Sequence, residues 1–354
     1  MSAPVLERPA PAAPPAAPPA AVPAPPAPRA AVPVPAAPWT NVYGLARSLL
    51  AMGTLLTLLA HDTHELLRPL GTSVSQVIRG VFLARFSLYA LLPETYLEAG
   101  RWFSIAVLLL VISGWRPRVT GVLHWWVCAS YSAAAVLVDG GDQVTAVLTL
   151  LLIPVTLTDG RTWHWSPVRA AASPLSSSSS LDGAGVPGGG GETARAGVPR
   201  LIALSVMLVI RLQVSIIYFQ SGVAKLDVPE WANGTALYYW FTHPVYGLSP
   251  WRERLFMPLL TSPLGVTLAT WGVMAFEVLL FTALVMNRTW WKYLLPLGIA
   301  FHFGIIVVHG LVSFFFAMAG ALVLYLRPWD EEFRFLRRRP AAESHSSAQV
   351  AAAA

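Results

Sequence analysis

Apolar runs of about twenty residues recur along this chain, and they constrain it more than any other feature. Eight stand out, at 40–60, 98–115, 119–138, 142–158, 200–225, 262–286, 291–309 and 311–326. A bilayer core is crossed by a helix of about 20 apolar residues. In lipid every backbone polar group must find its partner inside the segment, so open strands are excluded and helices remain. Hydrophobic residues make up 55% of the 354, charged residues 12%, and the mean hydropathy is +0.57. Soluble domains carry roughly 25% charge. The pattern predicts an all-α, polytopic membrane helical bundle of about eight transmembrane helices. The fourth and eighth runs are short. The stretch 69–92 is less apolar and carries Arg79 and Arg85, so it reads as interfacial, re-entrant or a further span.

Low-complexity segments divide the chain. Residues 1–38 are almost entirely Ala, Pro and Val, which blocks a helix and predicts a disordered tail. The tail lacks the continuous apolar core of a secretory signal. A Ser/Gly-rich linker at 159–199 separates a first transmembrane half, 40–158, from a second, 200–326, and 327–354 forms a basic and Ala-rich tail. Arg116 and Arg118, the linker arginines, Arg288, Lys292 and the RPWDEEFRFLRRRP segment fall on one side if both termini are cytoplasmic. The positive-inside rule then places this protein in the cell membrane, multi-pass, with Lys225 facing outward. The net charge of +6 is scattered between apolar runs and does not suggest nucleic acid binding. Cys128 is the single cysteine, so no intramolecular disulfide forms.

Ionisable residues inside spans are costly and mark function by default. Here they are Arg47, His124, Arg211, Glu277, His302 and His309. Arg211, Ser215, Tyr218, Gly222 and Lys225 follow one another at steps of 4, 3, 4 and 3. At about 100° per residue they form one polar stripe, which must face the bundle interior. Arg211 reads as lying near mid-membrane, with Glu277 as the acid to pair with it. His302 and His309 share a face, and His302 reads more readily as a satisfied core histidine than as a ligand. No metal site is predicted: His124 and Cys128 at i, i+4 are too few. Lys225 stands where the fifth run meets water. Lysines commonly anchor helix ends there. A lysine drawn partly out of water also yields its proton more easily and can serve as base or nucleophile.

The segment 226–261 holds Trp231, Tyr238, Tyr239, Trp240, Phe241, Tyr246 and Trp251. So many aromatics exposed to water would be a liability. They are satisfied at the interface or over the outer mouth of the bundle, with NGTALYYWFTHP as a short interfacial helix ended at Pro244.

The strings NVYGLARSLLAMGTLLTLL (41–59), GWRPRVTGVLHWWVCASYSAAAVLVDGGDQVTAVLTLLLIPVTLTDGR (114–161) and EWANGTALYYWFTHPVYGL (230–248) resemble the sporulation-delaying-protein B family. That family is similar in turn to the HTTM membrane domain of vitamin K-dependent gamma-carboxylases. YFQSGVAKLD (218–227) resembles the carboxylase segment that supplies a catalytic base, which implies that role for Lys225. The FE of MAFEVLLF and the FH of IAFHFGI implicate Glu277 and His302 as a supporting network. Where the carboxylases have an Asn-His pair this sequence has DGGDQ, with Asp139 and Asp142, and it lacks their large region after the spans. Glutamate carboxylation is therefore not expected.

The resemblance implies an accessory factor in maturation or export of a secreted antimicrobial peptide. Its partners would be the lipid bilayer, a peptide precursor and an accessory partner protein. The alternative is a carboxylase-like membrane enzyme acting with a lipid quinone as cofactor and Lys225 as base. A transporter ranks last, because Pro154 and Pro296 do not occupy matching positions in the two halves.

Overall fold

In a computed structural model of the chain, residues 37–67, 85–167 and 190–336 are described. The tail at 1–36, most of the 69–92 stretch, the linker centre at 168–189 and the end at 337–354 lie outside the described residues. The long helices are α1 (Asn41–Ala60), α2 (Leu97–Ser113), α3 (Pro117–Ala134), α4 (Gly140–Thr158), α5 (Gly190–Ala224), α6 (Pro263–Thr282), α7 (Arg288–His309) and α8 (Val312–Leu326). The described residues contain no strand, only an isolated bridge between Trp115 and Trp163. The protein is an all-α membrane bundle. Among the described residues, six segments are long and apolar enough to cross a bilayer: α1, α2 with the turn before it, α4, α5, α6 and α7. At 15 residues α8 is about 22 Å long, short of a bilayer core of about 30 Å.

Local signals set the helix ends. Asp139 and Asp142 form a capping box at the start of α4, each side chain accepting from the other's backbone N–H. Ser262 and Asn287 accept from backbone N–H groups in the first turns of α6 and α7. Gly114 closes α2 in the left-handed region, at φ 86°, which glycine adopts without penalty. The fifth helix begins ten residues before its apolar run. Glu192, Ala194, Arg195 and Ala196 favour helix, so the composition reading of a linker to 199 ends too late.

The short helix α8 is the centre of the core. Every residue from Ala317 to Leu326 is buried, against α1, α4, α5 and α7. A helix apolar all round is an enclosed one. Asn41 at the start of α1 exchanges two hydrogen bonds of 2.9 Å with the backbone of Phe333, beyond the end of α8. Thr40 donates to the Trp329 carbonyl at 2.7 Å. The chain thus enters and leaves the bundle at one end. At the other end Ser313, opening α8, donates to the Asp139 carboxylate at 3.1 Å.

The start of the expected linker is packed structure. Asp159 and Arg161 form an ion pair of 2.8 Å, and Arg161 also donates to the carbonyls of His164 and Ser166. This folds residues 159–166 back so that His164 is fully buried beside Gly114 and α1. Arg47 of α1, also fully buried, donates to Thr120 at 2.7 Å and points another N–H at Nδ1 of His164, 3.5 Å away. A proton on Nδ1 would face the guanidinium. Burial, and after it Arg47 and Arg161, holds His164 well below its ordinary value of 6.5. The folded state therefore binds fewer protons than the unfolded one once pH drops below about 6.5, and stability falls there. Melting temperature in detergent should decline from pH 7 to pH 5, and His164→Asn should flatten that slope. An unchanged slope in the variant would place the sensitivity elsewhere.

Candidate functional site

The polar stripe on α5 is buried: Arg211, Ser215, Tyr218 and Gly222 all lie inside the bundle. Its members have different partners. Ser215 donates to the Phe281 carbonyl at 3.1 Å, and Tyr325 of α8 donates to the carbonyls of Leu280 and Phe281. Both satisfy carbonyls freed as α6 ends. At Gly222 an added Cβ would lie 3.2 Å from a Val278 methyl and 3.6 Å from Cβ of Glu277, so its absence lets α5 and α6 meet closely.

Lys225, one turn further on, is the centre of the site. Its Nζ lies 2.7 and 2.8 Å from the two Glu277 oxygens and 2.9 Å from Oγ of Ser221. The Ser221 carbonyl is 3.0 Å away. Ser221 donates in turn to Glu277 at 2.9 Å, closing a ring of three side chains. These acceptors use every N–H direction of an ammonium. The Lys225 side chain is 20% exposed and that of Glu277 9%, so the pair sits at the rim, largely out of water. The indole of Trp231 covers it, with Nζ 5.1 Å from the ring centroid. Ser221 was not singled out in the sequence. Its signal was the spacing i, i+4 to Lys225.

The expected Arg211–Glu277 pair does not form. Arg211 and Lys225 are 14 residues apart, about 21 Å along one helix, so a single carboxylate reaches one of them. Arg211 lies near the middle of the apolar segment Gly197–Asp227. It lies level with the start of α7 and the end of α8. There it is held between the rings of Trp291 and Trp329, at 4.7 and 4.4 Å, and donates to the Arg327 carbonyl at 3.2 Å. A cation can be satisfied by two indole faces and a carbonyl without an acid.

His302 is buried on α7. Its Nδ1 is 2.8 Å from the Gly298 carbonyl one turn back, which makes it the donor, and its ring packs on Tyr218, Phe301 and Phe314. No hydrogen bond joins it to Lys225 or Glu277. Asp139 and Asp142 serve as the helix cap of α4. Among the described residues no three His, Cys, Asp or Glu side chains gather as metal ligands.

The segment after α5 folds as short helices, Pro229–Ala232, Ala236–Phe241 and Pro250–Leu260. Leu237 N–H donates to Thr270 of α6, His309 of α7 donates through Nδ1 to the Tyr246 carbonyl at 2.7 Å, and Arg252 donates to the Val307 carbonyl. The segment is thereby tied to α6 and α7. It forms an open cavity of about 440 Å³ lined by Val228, Glu230, Trp231, Ala236, Tyr239, Trp240, His243 and Tyr246. Trp231 is the wall between this cavity and Lys225. A quinone acting on Lys225 does not fit here, because the lysine is fully engaged and does not line the cavity.

This arrangement occupies the part of the chain that matches a known domain: residues 192–329, α5 to α8, match the HTTM domain. Two Bacillus subtilis (strain 168) proteins are similar over most of the chain. Uncharacterized protein YitO is 38% identical over 316 residues, 88% of this chain and 94% of the relative. Sporulation-delaying protein SdpB is 36% identical over 290 residues, 82% of each. The chain belongs to the SdpB family. No solved structure matches it. In this SdpB-family protein the matched domain holds Lys225, Glu277, Ser221 and the whole aromatic cavity, whereas Arg47 and His164 lie outside it.

The ion pair sets an expectation for stability. Removing one partner leaves the other charge largely buried, so Lys225→Met and Glu277→Leu should each lose about 2 kcal/mol, reduced from a fully buried pair by the lysine's exposure. The double variant should be more stable than either single one. Thermal unfolding of the four proteins in one detergent measures this, and simple additivity would contradict the pairing.

Proposed function

We propose that this SdpB-family membrane protein is an accessory factor in the maturation or export of a secreted peptide, which it holds at the end of the bundle carrying Lys225. The observation that carries this reading is the aromatic-walled cavity stacked on the Lys225–Glu277–Ser221 ring. A site for a peptide side chain is concave, largely apolar and supplied with a few fixed polar groups. The cavity has this character. The basic residues concentrate at the opposite end, where Arg288 pairs with Asp330 and Arg161 with Asp159, which supports an outward-facing cavity. A peptide leaving the cell would meet it there.

The geometry favours a structural role for Lys225 over a catalytic one. A lysine whose N–H groups all meet acceptors, under an indole lid, fixes the floor of a binding site more readily than it abstracts a proton. In a host that secretes the cognate peptide, Lys225→Ala should reduce release by about tenfold, the change that ~1.4 kcal/mol of lost docking produces. Lys225→Arg, which keeps the charge and the pair, should retain most of it, with membrane abundance equal in both. Loss of release in both variants at normal abundance would instead require a titratable amine and support the enzyme reading.

A further inference from the structure

The cavity lining has a chemistry of its own. Four of its eight residues, Trp231, Tyr239, Trp240 and Tyr246, present indole or phenol rings, and Glu230 adds a carboxylate. His243 stacks between Trp240 and Tyr246, with ring centroids 6.4 and 5.2 Å away. Its Nδ1 accepts from the N–H groups of Val245 and Tyr246, both at 3.1 Å, which fixes the neutral tautomer with its proton on Nε2. Glu230 and Asp227 have no ion pair or side-chain hydrogen bond among the described residues. Between Lys225 and Arg252 the chain carries no lysine or arginine, and the charge of Lys225 is met by Glu277. The cavity therefore offers aromatic faces and the unpaired carboxylate of Glu230, while Arg252, the next cation along the chain, is held by Ser249 and the Val307 carbonyl over Trp251.

We propose that this cavity is a cation cage that takes the alkylammonium or guanidinium group of a basic side chain on the bound peptide. Ring quadrupoles attract a cation placed over their faces, most strongly for indole, and the Glu230 carboxylate supplies the counter-charge. A volume of about 440 Å³ admits one such side chain with its methylene stem. The same chemistry occurs in the ammonium headgroup of a lipid. The peptide is the favoured source because this proposal rests on the peptide reading above, and because Glu230 leaves room for a positive charge without a phosphate beside it.

The test uses the full chain in phosphatidylglycerol nanodiscs and two probes, acetyl-Leu-Lys-Leu-amide and its norleucine counterpart, by calorimetry. The lysine peptide should bind about tenfold more tightly or better, tetramethylammonium chloride should compete with it, and Glu230→Gln or Trp240→Leu should abolish the preference. Equal binding of the norleucine peptide, or a preference surviving Glu230→Gln, would overturn the cage. Loss of lysine-peptide binding when phosphatidylethanolamine replaces phosphatidylglycerol would give the cage to a lipid headgroup and overturn the peptide assignment. Peptide release by the Glu230→Gln host separates the two readings. A cation preference in the unmodified protein with release unchanged in Glu230→Gln leaves the cage and removes its export role, and release lost in Glu230→Gln without a cation preference in the unmodified protein does the reverse.

Discussion

Glu277 stands between two cations on one helix and reaches only Lys225. That choice organises the second half of the molecule. The ion pair, closed by Ser221, joins α5 to α6 at the bundle end where α5 stops, and Gly222 lets the two helices come close enough for it to form. Trp231 lies on the pair and at the same time walls the cavity, so the floor and one side of the cavity depend on a single interaction. Arg211, without a direct ion pair, is held by two tryptophans and a carbonyl at the opposite end.

Both ends of the bundle carry arginines set on acids or indoles, Arg101 on Glu98 and Trp102 at the Lys225 end among them. Where the chain enters and leaves, arginines pair with aspartates or lie on indoles, and the segment around His164 is drawn into the core. Where Lys225 sits, one ion pair supports a covering of short helices rich in exposed aromatic surface. Between them α8, too short to be an ordinary span, is enclosed by α1, α4, α5 and α7 and gives the bundle its centre. A membrane helix need not reach both surfaces when its neighbours shield its ends.

Much of this was legible in the residues. Apolar length located the long helices to within a few residues, the start of α5 excepted, because hydropathy and backbone satisfaction leave little choice in lipid. The stripe on α5 was legible because helical period and polarity agreed. Its partner assignment was not: no spacing in the sequence shows that the middle of α5 lies level with the start of α7 and the end of α8, where Trp291 and Trp329 hold Arg211. Burial of His164 was obscured by a linker boundary drawn on composition. The run Asp159-Gly-Arg-Thr-Trp-His-Trp, aromatic and charged rather than Ser/Gly-rich, carried the signal. The cavity is formed by segments brought together across a turn, and no spacing rule describes that closure.

The amine of Lys225 is locked by Glu277 beneath Trp231. The chain has two lysines, Lys225 and the exposed Lys292, so one molecule contains both the probe and its control. Acetylation of the purified protein, followed by mass spectrometry at each lysine, compares them directly. Lys292 should react readily, Lys225 should be strongly protected, and Glu277→Gln or Trp231→Ala should release Lys225 to react at a rate near that of Lys292. Equal reactivity of the two lysines in the unmodified protein, or protection of Lys225 that survives the loss of Glu277, would contradict it.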